Sequence, residues 1–169
     1  MTTIKLYILM LMLIFQSIGS AQEIKTGVDL VSKYVWRGLD ITNSPSIQPA
    51  ISISEYGFEL GIWGAYSISS DESVSNEIDG WLSYCVNSSI GEISLSIVDY
   101  YFPNDGLQLG NFKSENGAHT LEGTFSYSGP VSIIVTYNFY NDPGNNIYFE
   151  IGYPIQIADL SVDFFLGAT

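Results

Sequence analysis

The sequence predicts an all-β protein, an antiparallel up-and-down transmembrane β-barrel with about nine strands in the present chain. Three observations carry that expectation. Apolar residues recur at every second position along most of the chain, the period of an extended strand. The polar residues between them are mainly Ser, Thr, Gly and Asn, not the Lys and Glu of a solvated sheet face. Short and long connections alternate, as they do between the two ends of an outer-membrane barrel.

The N-terminus comes first. Lys5 precedes an apolar run from Leu6 to Ile18, and Gly19-Ser20-Ala21 places small residues at the −3 and −1 positions of a cleavage site before Gln22. The run is shorter than the ~20 residues of a spanning helix. It reads as a secretory signal peptide over residues 1–21, cleaved near Ala21, with a single barrel domain over residues 22–169. The domain is therefore expected outside the cytoplasm.

The first strand sets Val28, Leu30, Tyr34 and Trp36 against Lys25, Asp29, Lys33 and Arg37. A second lies around Ile47, Ile51 and Ile53. Phe58, Leu60, Ile62, Tyr66 and Ile68 then oppose Glu59, Gly61, Trp63 and Ser67, and Ile78, Leu82, Tyr84 and Val86 oppose Glu77, Asp79, Ser83 and Asn87. A fifth strand alternates Ile93, Leu95 and Ile97 with Glu92, Ser94 and Ser96; a sixth alternates Leu121, Phe125 and Tyr127 with Thr120, Glu122, Thr124 and Ser126. The last three carry Val131 to Phe139, Ile147 to Tyr153 and Leu160 to Leu166 on the apolar parity, opposed by Ser132, Thr136 and Asn138, by Glu150 and Gly152, and by Asp159, Ser161 and Asp163. Short links are expected at Glu55-Tyr56-Gly57, Asn87-Ser88-Ser89, Ser128-Gly129-Pro130 and Pro154-Ile155-Gln156, and longer loops at 38–46, 69–76, 102–118 and 141–146.

Composition excludes several classes. With 46% hydrophobic and 14% charged residues the chain is not of the disordered type. Five Lys and Arg against 18 Asp and Glu, a net charge of −13, supply no basic surface for nucleic acid. A single cysteine, Cys85, forms no internal disulfide, and no Cys/His cluster points to a metal, so no cofactor is expected. No GxSxG accompanies the one histidine, His119, which reads as a polar interface residue beside the longest loop. Glu77 and Asp79 share a strand face with Glu122 and Glu150; a glycosidase pair would need a sugar cleft, and ordinary lining is the preferred reading. The Asp-rich loops at 103–106 and 141–145 have the composition of calcium loops and of Asx turns, and the turn reading is preferred. No enzymatic activity is expected.

Two architectures remain, with opposite faces. A soluble sandwich buries the apolar parity, whereas a membrane barrel turns it to lipid and lines its interior with the polar parity. Trp63, Trp81, Tyr140 and Tyr148 fall on the polar parity and suit a packed lumen. Aromatic residues also gather at strand ends, as in interfacial girdles. On the barrel reading Lys33, Arg37, Glu59, Glu77, Asp79, Glu122, Glu150 and Asp163 line the lumen, with Trp63, Trp81 and Tyr148 as its aromatics. Lys33 and Arg37 would pair with acids such as Glu77, Asp79, Glu122 or Glu150; alternatively, Arg37 snorkels to the outer interface. The excess of inward acids predicts a preference for cations.

The segments VSKYVWRGLDITNSPSIQPAISIS, GIWGAYS, EIDGWLSY, DYYFPNDG, HTLEGTFSYSGP and YNFYNDPGNNIYFEIGYP, in order across Val31 to Thr169, resemble the TorF family of small Gram-negative outer-membrane porins, first described as a conserved domain of unknown function. The strongest piece is Tyr34-Val35-Trp36-Arg37-Gly38, followed by a polar loop and Pro49-Ala50. The resemblance implies a signal-bearing, antiparallel barrel in the bacterial outer membrane and little about its substrate; on the barrel reading the expected partners are outer-membrane lipid and small solutes or ions. Family members run several strands longer and barrels of this class end on an aromatic residue, whereas this chain stops at Gly167-Ala168-Thr169. Ten to twelve strands are therefore expected in a complete protein. The expected function is a narrow, cation-preferring passive channel; a non-conducting structural or adhesive barrel and a secreted ligand-binding sandwich are the alternatives.

Overall fold

The computed structural model describes residues 22–41, 43–69, 76–157 and 160–169. The apolar leader lies outside them. Eleven strands follow one another: β1 Glu23–Val31, β2 Val35–Trp36, β3 Leu39–Asp40, β4 Ser46–Glu55, β5 Phe58–Ser67, β6 Glu77–Ser88, β7 Gly91–Tyr101, β8 His119–Ser128, β9 Ser132–Tyr140, β10 Ile147–Ile157 and β11 Leu160–Ala168. A single 3-10 turn, Pro103–Asp105, is the only helical element among the described residues.

Nine strands form one sheet in the order β1-β4-β5-β6-β7-β8-β9-β10-β11, antiparallel at every pairing. The meander arises because each period-two segment is followed by turn residues. At Tyr56 (φ 51°) and Gly57 (φ 84°) two consecutive positive φ angles make the two-residue turn that matches the strand twist. The expected nine-strand, all-β, antiparallel arrangement is present. Among the described residues β1 pairs only with β4 and β11 only with β10, so no pairing closes the sheet on itself.

Several expected boundaries differ: β6 runs through Asn87 and Ser88, so that its turn is Ser89-Ile90, and two differences are larger. The first strand does not run through to Arg37. It ends at Val31, and Val35-Trp36 and Leu39-Asp40 form a separate two-stranded ribbon around the turn residues Arg37 (φ 50°) and Gly38 (φ 81°). The alternation of Tyr34 and Trp36 mimicked one continuing strand, while Arg-Gly, followed by Leu-Asp, is the chemistry of a tight hairpin. Pro154-Ile155-Gln156 is not a link either, for β10 continues through it opposite Ser161-Val162-Asp163. Pro154 is accommodated beyond Gly152, where the ladder to β9 has ended.

The distribution of burial is inverted relative to a water-soluble sheet protein. Ile24, Val28, Leu30, Ile51, Leu60, Ile62, Leu82, Leu95, Ile97, Phe149 and Phe164 are all exposed, whereas Ser46, Ser52, Glu77, Glu122 and Thr136 are buried. The pairing explains this. Ile53, Leu60, Leu82 and Ile97 stand opposite one another across four strands and share one face; Ser52, Gly61, Trp81, Val98, Glu122 and Asn138 form a row on the other. Period two then assigns most of the apolar set to the first face, with Val98 and Ile134 left on the polar one.

The ribbon crosses the polar face. Tyr148 on β10 is seven strand spacings from β1, and the Arg37 guanidinium lies 4.5 Å from the centre of its ring, so the segment after β1 extends over the polar face to the far strands.

Candidate functional site

The β2–β3 ribbon carries Arg37 onto the polar face, and the interior is organised around it. Arg37 Nη2 donates to Glu122 Oε1 at 2.9 Å and Nη1 lies 2.8 Å from Oε2, a close ion pair with one charge-assisted hydrogen bond. The Arg37 guanidinium also lies over two rings, 4.1 Å from the Trp36 centre and 4.5 Å from that of Tyr148. Glu122 is almost wholly buried at 2% exposure and accepts further hydrogen bonds from Tyr100 Oη (2.9 Å) and Thr124 Oγ1 (3.2 Å). A carboxylate that deep is tolerated because an opposite charge and several donors surround it. Of the four acids expected as partners for Arg37, the structure selects Glu122, and the snorkelling alternative is set aside.

Lys33 behaves differently from expectation. It lies outside the strands, with its Nζ 2.7 Å from Asp40 Oδ2 and 3.0 Å from Asn43 Oδ1, and it braces the ribbon from the exposed side without joining the interior acids. The break in strand one after Val31 removed it from the inward parity. Lys25 pairs loosely with Glu23 at 3.7 Å, both exposed.

The remaining predicted residues share the polar face, in distinct groups. Glu59 accepts from Trp81 Nε1 at 2.8 Å. Trp81 lies flat over Gly61, where an added Cβ would stand 2.1 Å from the indole, so only glycine permits this packing. Trp63 packs on Tyr34 with ring centres 5.4 Å apart. Tyr148 donates to Glu150. Glu77 and Asp79 lie within hydrogen-bonding reach of one another, with Tyr34 against Glu77. Asp163 is exposed on edge strand β11 and takes no part in these groups.

Two further features were not read from the sequence. Tyr34 and Trp36 tie the ribbon segment to Trp63 of β5 and Tyr100 of β7, and Tyr100 in turn joins β7 to Glu122 of β8. The Arg-Gly turn was the available signal. A register shift between Leu121 and Glu122 places Tyr140 opposite Leu121, on the apolar face, not in the lumen as expected; its hydroxyl donates to Phe112 O of the 102–118 loop at 2.6 Å. The same loop covers His119, 2% exposed, which contacts Asp99 at 2.8 Å and Leu109 O at 2.6 Å and stacks on Phe112 with centres 3.8 Å apart. His119 thus joins loop to wall.

The acidic loop after β9 forms an Asx turn. Asp142 accepts from the backbone N–H groups of Gly144 (3.2 Å) and Asn146 (2.9 Å) and from Asn138 Nδ2 (3.0 Å). The Asn146 amide above all holds the Asp142 carboxyl below its ordinary value. Among the described residues no group of three or more His, Cys, Asp or Glu is placed to hold a metal ion.

The fold and this interior define a class: an antiparallel meander with an apolar outer face and a polar, ion-paired inner face crossed by a short ribbon. The chain belongs to the family described as a bacterial protein of unknown function (Gcw_chp), whose model matches residues 16–169. Neither the curated proteins nor the solved structures contain a match.

Proposed function

We propose that the protein is an outer-membrane β-barrel of the TorF-porin type, exported by a signal peptide cleaved near Ala21, that forms a narrow passage preferring cations. One observation carries the reading above all: from β4 to β10 the apolar parity is largely exposed while the polar parity is mostly buried or half-buried. In water such a surface would aggregate, whereas in a bilayer it is the expected outer wall. A soluble ligand-binding sandwich requires the opposite arrangement. No helix among the described residues is long and apolar enough to cross a membrane, so the strands would do the crossing. The resemblance of Tyr34 to Gly38 and the segments around it to TorF porins supports the same assignment.

The cation preference rests on charge. Arg37 is matched by Glu122 and Lys33 by Asp40, which leaves Glu59, Glu77, Asp79 and Glu150 without a basic partner on the polar face. Carboxyl groups lining a low-dielectric passage favour cations. The reading is non-enzymatic. A non-conducting structural barrel is the second reading, favoured by the ribbon itself, since Trp36 and Arg37 occupy interior space that Trp63 and Trp81 already narrow. Planar-bilayer recording separates the two: small cation-selective currents that weaken in Glu77→Gln/Asp79→Asn support the passage, anion selectivity contradicts the proposed lumen, and silence favours the structural barrel.

A further inference from the structure

The 102–118 segment is a strap fastened to the wall on its apolar side. Asp99 and Tyr101 of β7 continue the parity of Ile97 and stand opposite Leu121 and His119 of β8. Four side chains of the wall and its rim reach backbone carbonyls of the strap. Tyr101 Oη donates to Leu107 O at 3.0 Å, Tyr140 Oη to Phe112 O at 2.6 Å and Asn141 Nδ2 to Gly117 O at 3.0 Å, while His119 Nε2 lies 2.6 Å from Leu109 O. Three of these fastenings use a phenol or an amide. The fourth uses an imidazole, the side-chain type whose charge changes between about pH 5 and 8.

His119 is 2% exposed, and its ring stacks with those of Phe112, 3.8 Å between centres, and Tyr101, 5.3 Å. Both ring nitrogens face acceptors. Nδ1 is 2.8 and 2.9 Å from the two carboxyl oxygens of Asp99, and Nε2 faces the Leu109 carbonyl. A carbonyl donates nothing, and a neutral imidazole carries a single N–H. Both contacts are therefore hydrogen bonds only while the His119–Asp99 pair holds two protons, as imidazolium with carboxylate or as neutral ring with carboxylic acid. When one proton leaves, a lone pair faces an acceptor at one of the two contacts. A carboxylate holds the remaining N–H more strongly than a neutral carbonyl does, so the contact that fails is the one to the strap. Asp99 and Tyr101 are the titratable groups that face the ring from β7; the strap contributes the Leu109 carbonyl and Phe112, and Asn141, beyond β9, donates to the His119 carbonyl at 3.0 Å.

We propose that His119 is a proton-operated latch, which fastens the 102–118 strap to the wall while the His119–Asp99 pair holds two protons and releases it at Leu109 as pH rises. Release uncovers a charged pair on the apolar parity and lets the exposed Leu109 and Phe112 leave the wall. Such a latch goes beyond passage of ions and works whether or not the barrel conducts.

The test is the mobility of a nitroxide label at Gln108→Cys, in a Cys85→Ala background of the detergent-solubilised full chain, with Ser89→Cys in the turn after β6 as the reference. The Gln108 label should move slowly at about pH 5.5 and several-fold faster at about pH 8.5, with the Ser89 label unchanged. His119→Phe keeps a stacked ring without an N–H and should be fast at both pH values. Asp99→Asn should do the opposite: its amide can donate to Nδ1, which leaves the Nε2 proton of a neutral ring on Leu109 O and the strap fastened at both. Should His119→Phe fail to fold, Asp99→Asn still decides. An unchanged Gln108 spectrum, a pH step of full size in either folded variant, or an equal step at Ser89 would overturn the proposal.

Discussion

Arg37 is the residue on which the interior depends. Its side chain is 15% exposed and that of Glu122 is 2%, so removing either partner strands a buried charge. Arg37→Met should therefore destabilise by about 3–5 kcal/mol, and Arg37→Met/Glu122→Leu by clearly less, because the double change removes both charges. Urea unfolding in lipid or detergent measures both. Asp142 provides a second test at this scale. Its folded carboxyl lies below the unfolded value of ~3.9, so the turn is fully supported above that value and loses support as pH falls through the folded one. Exchange protection of the Gly144 and Asn146 amides should decline only in that acidic window, and Asp142→Asn should abolish the pH step. Sequence reading placed Arg37 and Glu122 on one face but left the partner open among four acids. Parity gives the face, whereas only register and the ribbon decide the distance.

At the level of elements, the period-two pattern made most strands legible because it depends on local geometry alone. The ribbon was not legible, since Tyr34 and Trp36 continue the alternation of β1 although the chain has already turned inward. The bulge beside Leu121 was missed for the same reason, and it carried Tyr140 to the other face. The ribbon makes its own prediction. Gly38 has φ 81°, so Gly38→Val should strain the turn by roughly 1–2 kcal/mol and loosen the Arg37–Glu122 pair, read as a larger Trp36 quenching by acrylamide. The wall makes another. Leu82→Arg should cost ~2–4 kcal/mol where lipid surrounds it, and Ser83→Arg, on the half-buried polar parity, markedly less. Thr136 is a poor control, for at 2% exposure it has no room for an arginine.

For the molecule as a whole, the inverted distribution of polarity is the property that everything else presupposes. The polar face holds the ion pair and the aromatic packing, while the apolar face carries the exposed aliphatic side chains. A bilayer also demands that the outer backbone groups of β1 and β11 find partners, since unsatisfied N–H and C=O groups are not tolerated in hydrocarbon. The most direct test of the central claim is spin-label accessibility along β6 in reconstituted lipid, with labels placed one at a time from Gly80 to Val86 in a Cys85→Ala background. Collisions with oxygen should rise at Leu82, Tyr84 and Val86 and fall at Trp81 and Ser83, a period of two with the apolar parity in lipid. Uniform accessibility to a water-soluble nickel chelate, or the same alternation with the two parities exchanged, would contradict the account.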